Sequence, residues 1–207
     1  MPPYSNLVLM DFDRLLGDFR EKAYEMGLGQ TYEECKDNPS AFKRKVYEYK
    51  FEELKEIMNE LAEGWNPYPS SFETIREMKK RGRINIVITD NPMSPFKEKL
   101  MDKFSENGRC YLDDMKFTFR FVPDNGGIKI EEIQSKENLA KEMLELYDGG
   151  VLIVEGKNDV KAVVGVREWA EKNNINIKTI KAGNNCVKLN DKVHYSVENL
   201  PDVLDYI

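Results

Sequence analysis

Histidine is almost missing from this chain: His194 is the only one in 207 residues. A His-rich zinc site is therefore excluded, and a Ser-His-Asp arrangement has only His194 to use. Cysteine is scarce as well. Cys35, Cys110 and Cys186 lie far apart with no C-x-x-C, and their odd number suits a reducing compartment. Long apolar runs are lacking, since no window approaches the ~18 residues that read as a membrane span. A basic excess is lacking too: 31 Lys and Arg face 37 Asp and Glu, a net charge of −6. That balance disfavours a nucleic-acid footprint, which calls for a basic face. The start, "MPPYSNLVLMDFD", has neither a basic n-region nor a long apolar h-region, so no secretory signal is expected and the expected location is cytoplasmic. Hydrolytic chemistry in such a chain runs most naturally on carboxylates and a hard metal.

What is present is ordinary globular composition, 41% apolar and 33% charged, and enough chain for roughly one to two domains with a buried core. "NLVLMDFD" (6–13) predicts a strand that is apolar on both faces until Asp11, as in the centre of a parallel sheet. A helical block follows from about Gly17 to Glu63. In it Tyr47, Phe51, Leu54, Met58 and Leu61 form one amphipathic stripe, which is core rather than a cofactor box, with Asn38-Pro39 as a start and Gly64 as a stop. "WNPYPS" (65–70) is a Pro-rich joint. Ser70 and Glu73 have capping-box spacing for a helix that ends at Gly82. "RINIVITD" (83–90) is a second apolar strand. Ser94-Pro95 opens a helix through Phe96, Leu100 and Phe104 that ends at Gly108. "KFTFRFV" (116–122) alternates and predicts a strand closed by "PDNGG". Ser135 caps a helix that ends at Gly149-Gly150, and "VLIV" (151–154) is the third fully apolar strand. A helix to Lys172, "INIKTI" (175–180) and a short "KVHYSV" (192–197) complete the order. Strands alternating with helices imply crossovers and a mainly parallel sheet. The block at 17–64 interrupts the alternation. It is expected to be a small inserted helical cap over the sheet's C-terminal edge, with residues 1–16 and 65–207 as the core domain.

Chemistry-bearing residues collect at the strand ends. Asp11 and Asp13 close the first strand as D-x-D, and Thr89 closes the second. Lys136 sits on the first turn of a helix, and Glu155 and Asp159 follow "VLIV". In this order and spacing they resemble the haloacid dehalogenase (HAD) superfamily of phosphohydrolases. Its first motif is an apolar strand ending in D-x-D, its second a strand-end Thr or Ser, its third a Lys, and its fourth a strand followed by two acids. The helical insertion after the first motif resembles the cap of the phosphoserine phosphatase-like members. The resemblance spans nearly the whole chain. It departs at Arg14 and Leu15, where small or β-branched residues are usual, and at Val154-Glu155, where Gly-Asp is usual.

The resemblance implies a Rossmann-like three-layer α/β core and a Mg²⁺-dependent phosphatase acting on a small phosphorylated metabolite through an aspartyl-phosphate, with no nucleic-acid or membrane partner. It implies that Asp11 is the nucleophile and a metal ligand. Asp13 protonates the leaving oxygen and then activates water, and its backbone carbonyl binds the metal. Thr89 donates to a phosphate oxygen, Lys136 neutralises phosphate and holds Asp11, and Glu155 with Asp159 completes the metal shell. Each residue alone has a plainer explanation. A strand-end Asp caps turns, Asn158 or Asp159 equally suits a helix N-cap, and most lysines, Lys129 and Lys141 among them, are solvated. Arg14, Arg20, Lys43, Arg44 and Lys45 are available to an anionic substrate. The ordered set carries the assignment.

Three rivals remain. "VLIVEGKNDV" also resembles the start of a Toprim nucleic-acid-processing module, but the D-x-D that such a module carries further along is missing after Glu155. Dehalogenation on the same fold does not call for the acid Asp13. A non-catalytic relative would tolerate Leu15 and Glu155.

Overall fold

The structure, a computed structural model, describes residues 5–18, 50–125, 127–155, 159–183 and 193–207. Its centre is a six-stranded parallel sheet. In sequence these strands are β1 (Leu7–Met10), β2 (Ile84–Thr89), β5 (Asp114–Phe117), β8 (Gly150–Val154), β9 (Ile177–Ala182) and β10 (Tyr195–Val197). Their spatial order is β10-β9-β8-β1-β2-β5. β1 therefore lies between β8 and β2, with Met10 in register with Val87 on one side and Ile153 on the other.

β1 is wholly apolar because both faces of the sheet are covered, and successive side chains point to opposite faces. Val8 and Met10 enter one buried cluster, while Leu7 and Leu9 enter the other. Helices α1 (Phe51–Gly64), α2 (Pro69–Lys80) and α3 (Lys97–Asp102) contribute to the first through Leu54, Met58, Ile75, Met78 and Leu100. Helices α4 (Lys136–Leu146) and α5 (Asp159–Asn173) contribute to the second through Leu139, Met143, Val163 and Val166. This is the expected three-layer α/β arrangement. No described helix is long and apolar enough to cross a membrane.

Several local expectations are corrected. Ser70 and Glu73 form no capping box, because α2 begins two residues earlier with Pro69 at its first turn and Tyr68 as N-cap. Gly108 does not stop a helix. α3 already ends at Asp102, and Asn107 and Gly108, both at positive φ, turn a hairpin between β3 (Ser105–Glu106) and β4 (Arg109–Cys110). The 116–122 strand is two strands broken at Thr118. β5 joins the main sheet, while β6 (Phe119–Asp124) pairs antiparallel with β7 (Gly127–Glu132) in a separate two-stranded sheet. A short 3₁₀ helix, Leu200–Asp205, follows β10. Of the expected cap, 19–49 lies outside the described residues, and with it Arg20, Lys43, Arg44 and Lys45; Lys157 and Asn158 lie outside them as well.

Candidate active site

The parallel register brings the C-terminal ends of β1, β2 and β8 side by side, and the polar residues follow at once. The Asp11 N–H donates to the Ile153 carbonyl at 3.0 Å, so the β1–β8 ladder runs one residue beyond the strand and presents Asp11 at its edge. Phe12 turns into the core and packs on Trp65, ring centroids 4.8 Å apart. The chain then folds back tightly. Leu16 N donates to Phe12 O at 3.0 Å, and Arg14 N to Gly17 O at 2.8 Å, with Arg14 at φ 64°. The loop is tied down from α2 and its approach. Tyr68 N donates to Leu16 O at 2.9 Å, and the Ser71 hydroxyl donates to Leu15 O at 2.9 Å. Leu15, unusual for the motif, is buried in the core.

Lys136 is the hub. It opens α4 directly after its N-cap Ser135, whose hydroxyl accepts from Asn138 N at 3.2 Å. Its Nζ donates to Asp11 Oδ1 at 2.8 Å and to Asp159 Oδ1 at 2.7 Å, and lies 3.8 Å from Asp90 Oδ2. A helix N-terminus disfavours a cation, and three carboxylates around the ammonium offset that. Burial pulls the Lys136 pKa down, but Asp11, Asp159 and Asp90 outweigh it and hold the group well above the ordinary lysine range. Lysine is therefore charged at any working pH. Asp159, the first residue of α5, is buried with its carboxylate on this ammonium.

The two aspartates of the first motif are pushed in the opposite direction. Burial raises the Asp11 carboxyl to about 7 against the pull of Lys136, with Asp159 and Asp13 adding to the rise. Burial also raises Asp13 to about 6, against Lys136, with Asp18 adding and a hydrogen bond from the Asn91 side chain opposing. Thr89 is fully buried at the end of β2, and its hydroxyl oxygen accepts from Asn91 N at 3.0 Å. A hydroxyl that accepts in this way keeps its own proton to donate. Glu155 is buried behind β8, with Oε2 3.7 Å from Arg14 Nε.

Every residue singled out in the sequence, Asp11, Asp13, Thr89, Lys136, Glu155 and Asp159, thus lies at one edge of the sheet. Three partners were not foreseen. Asn91 bonds both Thr89 and Asp13, Asp90 faces Lys136, and the Thr118 hydroxyl donates to Asp90 at 2.6 Å. The sequence signal for the first two was their position directly after the strand-end Thr89. Thr118 had none, because it lay inside an apparent strand.

Whether a metal suits this site is tested by its donors and charge. Among the described residues, the carboxylates of Asp11, Asp13, Asp90, Glu155 and Asp159 gather around Lys136 and Arg14. These are hard oxygen donors, and a carboxyl held near 7 by burial and neighbouring acids marks a shortage of positive charge. Both properties suit a hard dication such as Mg²⁺. The described residues do not close three such donors into a ready shell; Lys136 stands between Asp11 and Asp159.

A substrate-bound phosphoserine phosphatase complex superposes with a TM-score of 0.65 at 20% identity, covering 100% of both chains. The chain has the fold of the HAD superfamily. A protein described as a HAD-hydrolase of Bacillus subtilis, bound to magnesium, matches the same HAD fold at TM-score 0.58 and 13% identity over 99% of each chain. A dehalogenase with an intermediate complex matches at TM-score 0.61 and 12% identity, over 100% of this chain and 99% of that one. No protein-family model matches the chain, and no curated protein matches it by sequence.

Proposed function

We propose that the chain is a Mg²⁺-dependent phosphohydrolase that cleaves a small phosphomonoester through an aspartyl-phosphate on Asp11. The observation that carries this is the Lys136 ammonium held between Asp11 and Asp159, at 2.8 and 2.7 Å, beside a raised Asp13 and the Thr89 hydroxyl. Phosphoryl transfer asks a protein mostly for positioning and for cancellation of charge, and these residues supply both. The ionised Asp11 attacks phosphorus, and the bond to the ester oxygen breaks. Asp13 gives that oxygen its proton. Asp13 then takes a proton from a water that attacks the phosphorus of the aspartyl-phosphate, releasing phosphate and restoring Asp11. A carboxyl near 6 is suited to giving and retaking a proton close to neutral pH. Thr89 and Lys136 donate to the phosphoryl oxygens, and Asp159 keeps Lys136 in place.

Asp11, the Asp13 carbonyl and Glu155 would hold Mg²⁺, with Asp159 beside them, and the bound ion would neutralise the phosphoryl charge next to so many acids. The expected cap, 17–64, has its last helix among the described residues. Its helix α1 shares one buried cluster with Phe12, Leu16 and Trp65, which support the Asp11–Gly17 loop. The neighbouring folds include phosphoserine phosphatases, and the low identity leaves the leaving group to experiment. The test is turnover of an aryl phosphate with Mg²⁺ and with EDTA. Mg²⁺-dependent release of the phenol is expected. No turnover across a broad phosphomonoester panel would move the reading to a non-catalytic protein on this fold.

A further inference from the structure

We propose that Arg14 is a built-in counter-cation for Glu155 and competes with the divalent metal for that carboxylate. The proposal rests on the metal-dependent reading above. Arg14 Nε lies 3.7 Å from Glu155 Oε2, the arginine side chain 46% exposed and the glutamate 7%. A cation at the solvent side of a buried carboxylate can swing away without opening the core, whereas the carboxylate cannot follow it.

Both ends of the pair are built into the backbone. Arg14 sits at φ 64°, a left-handed conformation that is uncommon outside Gly, Asn and Asp. The bond from its N–H to Gly17 O and the anchors on Leu15 and Leu16 hold it there. On the other side, Gly183 at φ 124° leaves room for the glutamate, since a Cβ there would come 3.0 Å from Glu155 Cγ. The longer side chain of Glu155, compared with aspartate, carries its carboxylate towards the loop that bears Arg14. An arginine at a backbone position suited to glycine, facing a buried acid from a rigid turn, is placed to neutralise that acid when no metal does. Metal binding at Glu155 then requires release of the guanidinium, and the metal affinity of the intact protein is reduced accordingly.

Isothermal titration with Mg²⁺ and with Mn²⁺ alone tests this on the metal-stripped full chain, alongside thermal melts with and without metal. Arg14→Asn removes the charge and tolerates the left-handed backbone; Arg14→Gly is the second variant, with no side chain to strain. Both are expected to bind metal about fivefold more tightly than the parent, a partly exposed pair being worth on the order of this factor. Both should also gain more in melting temperature on metal addition than the parent does. The tightening should vanish when Glu155→Gln is present in both proteins. Unchanged or weaker metal binding in the Arg14 variants overturns the proposal. So does an equal tightening in the Glu155→Gln background, which would make Arg14 a general field effect. If the parent itself binds neither metal, the metal-dependent reading fails and this inference with it; if the parent binds and the variants do not differ from it, only this inference fails.

Discussion

Asp11 and Asp13 have the same chemistry and are separated by one residue, so their surroundings must divide their tasks. Asp11 is bonded to the Lys136 ammonium, which in the proposed reaction keeps an anion in place for attack. Asp13 has a hydrogen bond from Asn91, and its carboxyl, near 6, exchanges a proton easily. Asp11→Asn removes the proposed nucleophile, so no phosphoenzyme should form and turnover should be lost. Asp13→Asn should slow turnover by about 10²–10⁴-fold, the usual contribution of a general acid–base group. An aryl phosphate needs little acid help to depart, whereas the second step still needs a base. The Asp13→Asn protein should therefore accumulate the aspartyl-phosphate. Rapid acid quench and mass spectrometry would look for one added phosphoryl group on the peptide that contains Asp11. Full turnover by Asp11→Asn, or phosphoenzyme in it, would refute the mechanism.

Among the elements, the Asp11–Gly17 loop is packed against Trp65 as well as held by its own hydrogen bonds. Trp65 is almost wholly buried and packs on both Phe12 and Phe104. Gly17 lies against it so closely that an added Cβ would fall within 2.8 Å of three indole atoms. Gly17→Ala is thus an overpacking change at the base of the site. It should cost about 1–3 kcal/mol of stability and should also lower turnover, because relief requires the loop or the indole to move. Urea unfolding together with aryl phosphate kinetics would check it; a variant as stable and as active as the parent would show that the loop does not rely on this contact. This contact was not legible in the sequence, where Gly17 was only the start of a helical block. The candidate set was legible from position: Asp11, Asp13, Thr89 and Glu155 stand at or just after the ends of apolar runs, which a parallel sheet brings together, while Lys136 and Asp159 open helices α4 and α5. Gly108 was misread as a helix stop because the preceding apolar spacing, Phe96, Leu100 and Phe104, continued to look helical. Phe104 is indeed fully buried, but it packs on Trp65 from beyond the end of α3. The break at Thr118 was hidden for a different reason. Its cause is a non-local bond, Thr118 N to Thr89 O at 2.9 Å, and alternation along a single strand carries no trace of it.

For the molecule as a whole, the lone histidine bears on acid stability rather than on catalysis. His194 lies beside β9 on the side away from β8. Its ring Nδ1 accepts from the Thr179 backbone N–H at 3.0 Å, and the His194 backbone N–H donates to Thr179 O at 3.0 Å. Only the neutral ring can accept at Nδ1. Burial, then Arg167 and Lys178, push its pKa below the usual 6.5, with Glu171 opposing. A base whose folded pKa is depressed contributes stability that is present above its unfolded value and is lost as pH falls through the folded one. The melting temperature should therefore decline from about pH 6.5 downward in part because of His194. Asp11 and Asp13 work the other way in the same range. Their raised values favour the folded state at low pH, and that advantage is lost as pH rises towards 6 and 7. A single profile mixes the two, so the informative quantity is a difference between proteins. His194→Asn keeps an acceptor near the Nδ1 position and cannot titrate. Metal-free melts of the parent and this variant from pH 5 to pH 8 should converge at the alkaline end and separate as the pH falls, the variant losing less. Parallel curves over the whole range would mean that protonation of His194 does not couple to folding and that the β9–β10 edge tolerates a charged ring.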